Sequence, residues 1–266
     1  MDCDVLIVGA GPAGTAAAFD LLGQGLSVLI LDKYEFPRKK ACAGGITPKG
    51  LQLYRYDISS QIKRVCHAIR IRSSASASFD IRTARPLCHM TDRRDLDLFS
   101  LNKAVGKGAQ FKVVRKILSI EEKPARVDVC TETGTFSAGF VIGADGANSI
   151  VRRFITKKKF FKKQMALEAD VQVPDGRAYE MEFDFSINRN GYYWIFPKRG
   201  HVNIGIYSTG PGCRPGISDL AAFADHRLGK KKLQAVKGYP ICTGGAAYRP
   251  DTDRILLAGD AAGTAE

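Results

Sequence analysis

Residues 4–32, DVLIVGAGPAGTAAAFDLLGQGLSVLILD, leave the chain few choices of fold. A short apolar strand from Val5 to Val8 runs into Gly9-Ala10-Gly11-Pro12-Ala13-Gly14. An Ala- and Leu-rich helix follows, and a second apolar strand, Val28 to Leu31, ends in an acid, Asp32. In such a strand–turn–helix, Gly9 permits the tight turn, Gly11 lets the backbone approach a pyrophosphate, and Gly14 lets helix and strand pack closely. A diphosphate would rest on the helix N-terminus, where free N–H groups and the helix dipole favour negative charge. Asp32 stands where a carboxylate would accept hydrogen bonds from an adenosine ribose. The bare glycine pattern also occurs in ordinary βα turns. The strand before it, the helix after it and the acid at this distance point to a dinucleotide site.

The sequence starts almost on that strand, so no signal or transit peptide is expected. No apolar run approaches the roughly 20 residues that a spanning helix needs. A soluble or peripheral chain of 266 residues, forming one large or two interleaved domains, is the expectation. The cysteines, at positions 3, 42, 66, 88, 130, 213 and 242, are scattered and form no CxxC pair. Neither a zinc site nor a disulfide framework is signalled, and a reduced, cytoplasmic setting is the simpler expectation. The net charge of +13 implies an anionic partner: nucleic acid, membrane surface or a phosphorylated substrate. Its densest cluster is Lys157-Lys158-Lys159-Phe160-Phe161-Lys162-Lys163. That run could dock peripherally on anionic lipid headgroups or be a solvated loop between domains. No nucleic-acid motif accompanies the charge, which argues against that partner.

Further along, a Gly/Pro/basic connection (residues 36–45) leads to Thr47-Pro48, which reads as an N-cap with proline at the first helical position. Residues 68–73 alternate as a strand, and 92–107 read as a helix opened by Asp92. Strands are expected over 112–121 and 126–131, with a turn near 133–135, and Phe140 to Gly143 reads as a buried strand ending in Ala144-Asp145-Gly146. Tyr179 to Phe185 then alternates apolar with acidic, the pattern of a half-buried antiparallel strand. A hairpin at Asn190-Gly191, strands over 192–196 and 202–207, and a helix around 217–228 follow. Ile255 to Ala258 is another buried strand, ending in Gly259-Asp260, where a carboxylate can hold a ribitol or ribose hydroxyl. Three strand-end sites should therefore converge at the carboxyl edge of one parallel sheet.

These three motifs, in this order, resemble the flavoprotein monooxygenase-like group with the p-hydroxybenzoate hydroxylase fold. Lys40-Ala41-Cys42-Ala43-Gly44-Gly45 looks like the Cys-Gly-Gly-Gly loop of the geranylgeranyl reductase family, with Ala43 in place of a glycine. Tyr192-Tyr193-Trp194-Ile195-Phe196-Pro197-Lys198, followed by Gly205, matches that family's YxWxFPK…G signature at every fixed position. The resemblance covers essentially the whole chain from residue 4. It implies a Rossmann-like FAD-binding domain, α/β, over residues 1–75, 90–155 and 245–266. An interleaved antiparallel-sheet substrate domain would take 76–89 and 156–244. Family members continue well past Glu266, so a C-terminally truncated chain with weak FAD affinity is expected.

By the same resemblance, Gly9, Gly11, Gly14 and Asp32 hold the adenosine diphosphate half of FAD. Gly259-Asp260 takes the flavin side, and Asp145-Gly146 lines the cofactor cleft. Arg93, in the pattern RxxLD, matches an arginine near the cofactor; a surface salt bridge with Asp97 is the other reading. Cys42 would lie against the isoalloxazine, acting in catalysis or flavin tuning, or else be an inert thiol. Tyr192, Trp194 and Phe196 share one strand face and would wall an apolar tunnel for an isoprenoid, unless they are ordinary sheet core. Arg38, Lys39 and Lys40 are candidates for the diphosphate of a polyprenyl substrate, or solvated loop charges. The implied activity is saturation of isoprenoid C=C bonds by hydride from reduced flavin. Monooxygenation or halogenation on the same fold, or a non-catalytic fragment, are the alternatives. With one GxGxxG present, the electron donor is either NAD(P)H using the flavin cleft or a separate protein such as a ferredoxin. No metal site is expected.

Overall fold

The computed structural model describes residues 1–74, 77–156, 161–174, 179–186, 191–209, 215–245 and 252–265. The chain divides into two units, Met1–Arg38 with Asp97–Lys163 and Ile241–Glu266, and Lys39–Leu96 with Gln164–Pro240. The second unit thus takes 39–75 and 90–96, which the resemblance had assigned to the cofactor domain. The physical reason is that strands Ile62–Cys66 and Ala68–Arg72 find their hydrogen-bond partners within that unit.

In the first unit, Gln110–Val113, Val28–Asp32, Cys3–Val8 and Gly134–Gly143 lie side by side, all parallel. The far edge of Gly134–Gly143 is shared. Its first half pairs antiparallel with Val127–Thr131, and its last three residues pair parallel with Ile255–Leu257. Both faces of this sheet are buried, which is why its strands read as near-continuous apolar runs. Leu6, Val8, Leu29 and Leu31 point into one core, with Val141 and Val151. Val5, Ile7, Val28 and Ile30 point into the other, against Ala18 of helix Pro12–Gly23 and Leu101 and Ala104 of helix Arg93–Gly106. The single strand expected over 112–121 is two, Gln110–Val113 and Ile117–Glu122. Between them the amides of Arg115 and Lys116 turn onto the Glu132 carboxylate, at 2.6 and 2.7 Å, and break the run.

The second unit carries a seven-stranded sheet in the order Gln234–Thr243, Lys162–Gln172, His201–Ser208, Gly191–Pro197, Met181–Asp184, Ala68–Arg72, Ser78–Arg82. Met181–Asp184 runs parallel to Ala68–Arg72, so the sheet is mixed rather than antiparallel throughout. One face buries Tyr193, Ile195, Ile204 and Ile206 under Leu220, Phe223, Ala224 and Leu228 of helix Ile217–Leu228. A small sheet of Gly45–Ile46, Cys88–Thr91 and Ile62–Cys66 completes this unit. Thr47 caps the short helix Pro48–Gln52 as its spacing predicts, accepting from the Gly50 amide.

The acidic face of 179–185 is not a solvent face. Glu182 and Asp184 are 5% and 2% exposed. Glu182 is held by Arg72 at 3.2 Å and by Arg227, and Asp184 Oδ1 accepts from the Ser186 amide and hydroxyl. The hairpin residue Asn190 lies outside the described residues. No helix of the described residues is long and apolar enough to cross a membrane.

Candidate functional site

The three strand ends of the first unit meet as the sequence predicts. A Cβ on Gly9, whose φ is +108°, would strike the Ala144 carbonyl oxygen at 2.4 Å; one on Gly14 would strike the Gly9 oxygen at 1.9 Å. Gly259, at φ +59°, packs on Ala13, so the Gly259–Ala262 turn sits on the first turn of helix Pro12–Gly23. Gly11 is the N-cap of that helix and has no side-chain cap, which leaves the helix's first amides open. The nearest heavy atom to a Cβ on Gly11 would be the Arg38 guanidinium, at 3.7 Å. An open helix start faced by a cation fits a diphosphate.

The acids of this region hold the loops around it. Asp32 accepts from the amides of Ala10 (2.8 Å) and Tyr34 (3.0 Å), so it fixes the glycine loop, with acceptor capacity left for a ribose. Asp145 accepts from the Ile150 amide at 2.5 Å, at the start of helix Ile150–Ile155, and burial pushes its carboxyl pKa up. Gly146 follows it at φ +80°. Arg152 is buried and donates to the carbonyls of Ala147, Asp260 and Ala261. It therefore ties the Asp145-Gly146 turn to the turn bearing Asp260, a role no sequence reading gave it.

Arg38 is not a loop charge. It pairs with the fully buried carboxylate of Asp97 at 3.2 Å and stacks on Phe36. Asp97 thus has Arg38 beside it. Lys40 belongs to the second unit, with its ammonium over the Tyr239 ring, 2.7 Å from the centroid. Of the basic run, residues 157–160 lie outside the described residues. Phe161 packs under Arg152, and Lys163 donates to Asn148.

In the second unit the signature residues explain one another. Tyr192, Trp194 and Phe196 share the sheet face opposite to the helix-covered one, and Phe183 and Tyr207 extend it with ring centroids 5.3–5.4 Å away. Trp194 is in register with Gly205, and a Cβ there would meet its ring at 2.0 Å, so only glycine lets the indole lie flat across that strand. The indole N–H donates to Asn203, which donates to Asp170. Phe196 lies over Gly45. Lys198, the last residue of the signature, is buried and paired with Asp92 at 2.8 Å.

The Cys42 loop is anchored on both sides of an exposed thiol. Gly44, at φ +77°, has its carbonyl bound by the Thr91 amide and hydroxyl, both at 2.8 Å, and a Cβ on it would strike the Thr91 oxygen. The Cys42 amide donates to Glu168 Oε1 at 2.9 Å. Sequence reasoning missed Glu168 altogether. Burial pushes its carboxyl up to about 7; Asp170 raises it further, while the Cys42 amide, Lys198 and Arg93 pull it down. A cavity of about 350 Å³ in this unit is walled by Arg70, Arg82, Arg227, Glu180 and Glu182, a lining unsuited to an apolar chain.

Comparison with known proteins agrees with these features. The family described as FAD binding domain matches residues 2–175. The chain is 30% identical to digeranylgeranylglycerophospholipid reductase 2 of Methanopyrus kandleri, over 98% of this chain and 71% of that one. It is 28% identical to the geranylgeranyl diphosphate reductase of Rhodobacter capsulatus, over 99% and 69%. Among solved structures, a geranylgeranyl bacteriochlorophyll reductase-like protein from Thermoplasma acidophilum superposes with a TM-score of 0.84 at 24% identity, over 98% and 72% of the two chains. The flavin-dependent brominase Bmp2 superposes with a TM-score of 0.75 at 20% identity, over 97% and 72%. The chain belongs to the FAD-dependent geranylgeranyl reductase family and has its p-hydroxybenzoate hydroxylase-like fold.

Proposed function

We propose that the chain saturates C=C bonds of a geranylgeranyl-type isoprenoid lipid or pigment precursor. The observation that carries this reading is the aromatic face of Tyr192, Trp194 and Phe196, fixed by the Trp194–Gly205 fit and turned away from the helix that covers the other side. A polyprenyl chain has no hydrogen-bonding groups, and a flat aromatic floor is the surface it can cover. When bound, FAD would supply the hydride for an isolated double bond. Gly9, Gly11 and Gly14 would take its diphosphate with Arg38 opposite, Asp32 its adenosine side, and Asp145-Gly146 and Gly259-Asp260 its flavin side. The second unit's residues would bind the chain, exclude water and supply a proton. Lys40 would meet the substrate's head group, and Cys42 would stand at the reacting end.

The electrons come from outside the chain, from NAD(P)H or a ferredoxin-type protein. The lysine–phenylalanine run at 157–163 is the candidate for contact with an anionic membrane. Flavin-dependent halogenation is the second reading, supported by the likeness of fold to the brominase. The test is anaerobic. FAD-loaded protein is reduced and given geranylgeranyl diphosphate, and flavin absorbance and product mass are followed. Reoxidation without oxygen, with a product heavier by one pair of hydrogens per flavin, is expected. A flavin that stays reduced until air is admitted, and then yields an oxygenated or halogenated product, would overturn the reading.

A further inference from the structure

Glu168 sits on strand Lys162–Gln172 directly across from Gly205, which is itself in register with Trp194. Paired residues on neighbouring strands project to the same face. With no side chain on Gly205, the indole of Trp194 lies across that strand, on the face shared with Glu168. The carboxyl is therefore on the aromatic face, and its Oε1 is bonded to the amide of Cys42. The charged and titratable groups around it are Asp170 on its own strand, Lys198 on the signature strand's end and Arg93 at a helix start, with the Cys42 loop above. Lys198 is itself engaged by Asp92.

We propose that Glu168 is the acid that protonates the double bond, a deepening that rests on the isoprenoid reading above. Three observations on the geometry support it. It is an acidic group beside the Trp194 ring, on a face whose other acid, Asp170, is bonded to Asn203. It is held at a fixed place by the Cys42 backbone amide. And it lies at the loop bearing the exposed Cys42. Reducing a C=C bond requires one hydride and one proton. FAD, when bound and reduced, would supply that hydride for the first C–H bond. The Glu168 O–H bond then breaks, the electron pair left from the π bond takes its proton into the second C–H bond, and a carboxylate remains. Solvent reprotonates that carboxylate between turnovers. Its pKa of about 7 keeps it in both forms near neutral pH, as a general acid requires.

The test has one readout that needs no flavin. Infrared titration of the protein alone should show a carboxylic acid C=O band that fades as pH rises through about 7, and that is absent in Glu168→Gln. In the second readout, FAD-loaded, reduced protein is mixed anaerobically with geranylgeranyl diphosphate. Glu168→Gln should slow flavin reoxidation on the order of 10²-fold, with unchanged affinity for FAD and substrate and with partial recovery in Glu168→Asp. The wild-type rate should fall as pH rises through the same midpoint, and that limb should be missing in Glu168→Gln. A wild type that never reoxidises overturns the isoprenoid reading and this role together. A wild type that reoxidises while Glu168→Gln matches it in rate and pH profile overturns the role of Glu168 alone, as does a protein with no carboxyl titrating near neutrality.

Discussion

The two units build their sites from different parts of the polypeptide. The first uses backbone: glycines at strand ends, open amides at a helix start, and acids that fix the loops. The second uses side chains brought together by strand register: Glu168 across from Gly205, Gly205 across from Trp194, and Lys198 on Asp92. A backbone site is written in consecutive residues, so small changes within a short motif destroy it. A register site is written across the sheet, and its polar side chains, Glu168 and Lys198, can be altered singly, leaving the fold in place.

The largest effect should come from the backbone site. Gly14→Val puts a branched side chain where even a Cβ lies 1.9 Å from the Gly9 oxygen. FAD affinity should fall ~10-fold or more, matching the ~1–3 kcal/mol of an overpacked contact; isothermal titration with FAD measures it. Gly205→Val should do comparable damage in the second unit, lowering stability by ~1–3 kcal/mol because the Trp194 ring has nowhere to go. Denaturant unfolding followed by the single tryptophan's fluorescence reads this directly.

Changes around Glu168 sharpen the comparison from the side-chain end. Removing the Lys198 charge with Lys198→Met takes away a group that favours the carboxylate, so the pH limb assigned to Glu168 should move up. Asp170→Asn removes a charge that opposes the carboxylate, so the same limb should move down. The raised carboxyl also has a stability consequence. Glu168 binds its proton more tightly folded than unfolded, so its contribution to stability declines as pH rises from about 4.5 to about 7. The smallest effect is expected at Arg70 and Asp80, an exposed pair 2.6 Å apart, where Asp80→Asn should leave the denaturation midpoint nearly unchanged.

What could be read from the sequence follows the same division. The Gly9–Gly14 loop, Asp32, the turns at Asp145 and Asp260, and the convergence of the three strand ends all follow from local pattern. So does the shared face of Tyr192, Trp194 and Phe196, because strand side chains alternate. Glu168 could not be found this way. It lies in the run MALEADV, whose alternation says only that one face is apolar, and its partner amide is 126 residues away. The buried Glu182 misled for a related reason. Its arginines, Arg72 and Arg227, come from a neighbouring strand and a helix well separated in sequence. Arg38 reads as a diphosphate candidate or a loop charge and not as a buried ion pair, because its partner, Asp97, lies on a distant helix.

The separation of the two sites is tested most directly by FAD affinity, measured by fluorescence titration of the wild type, Gly14→Val and Glu168→Gln in parallel. The expected result is a loss confined to Gly14→Val, with Glu168→Gln binding FAD as the wild type does. Equal loss in both variants would contradict the account, because it would make Glu168 part of the cofactor's grip rather than the source of a proton.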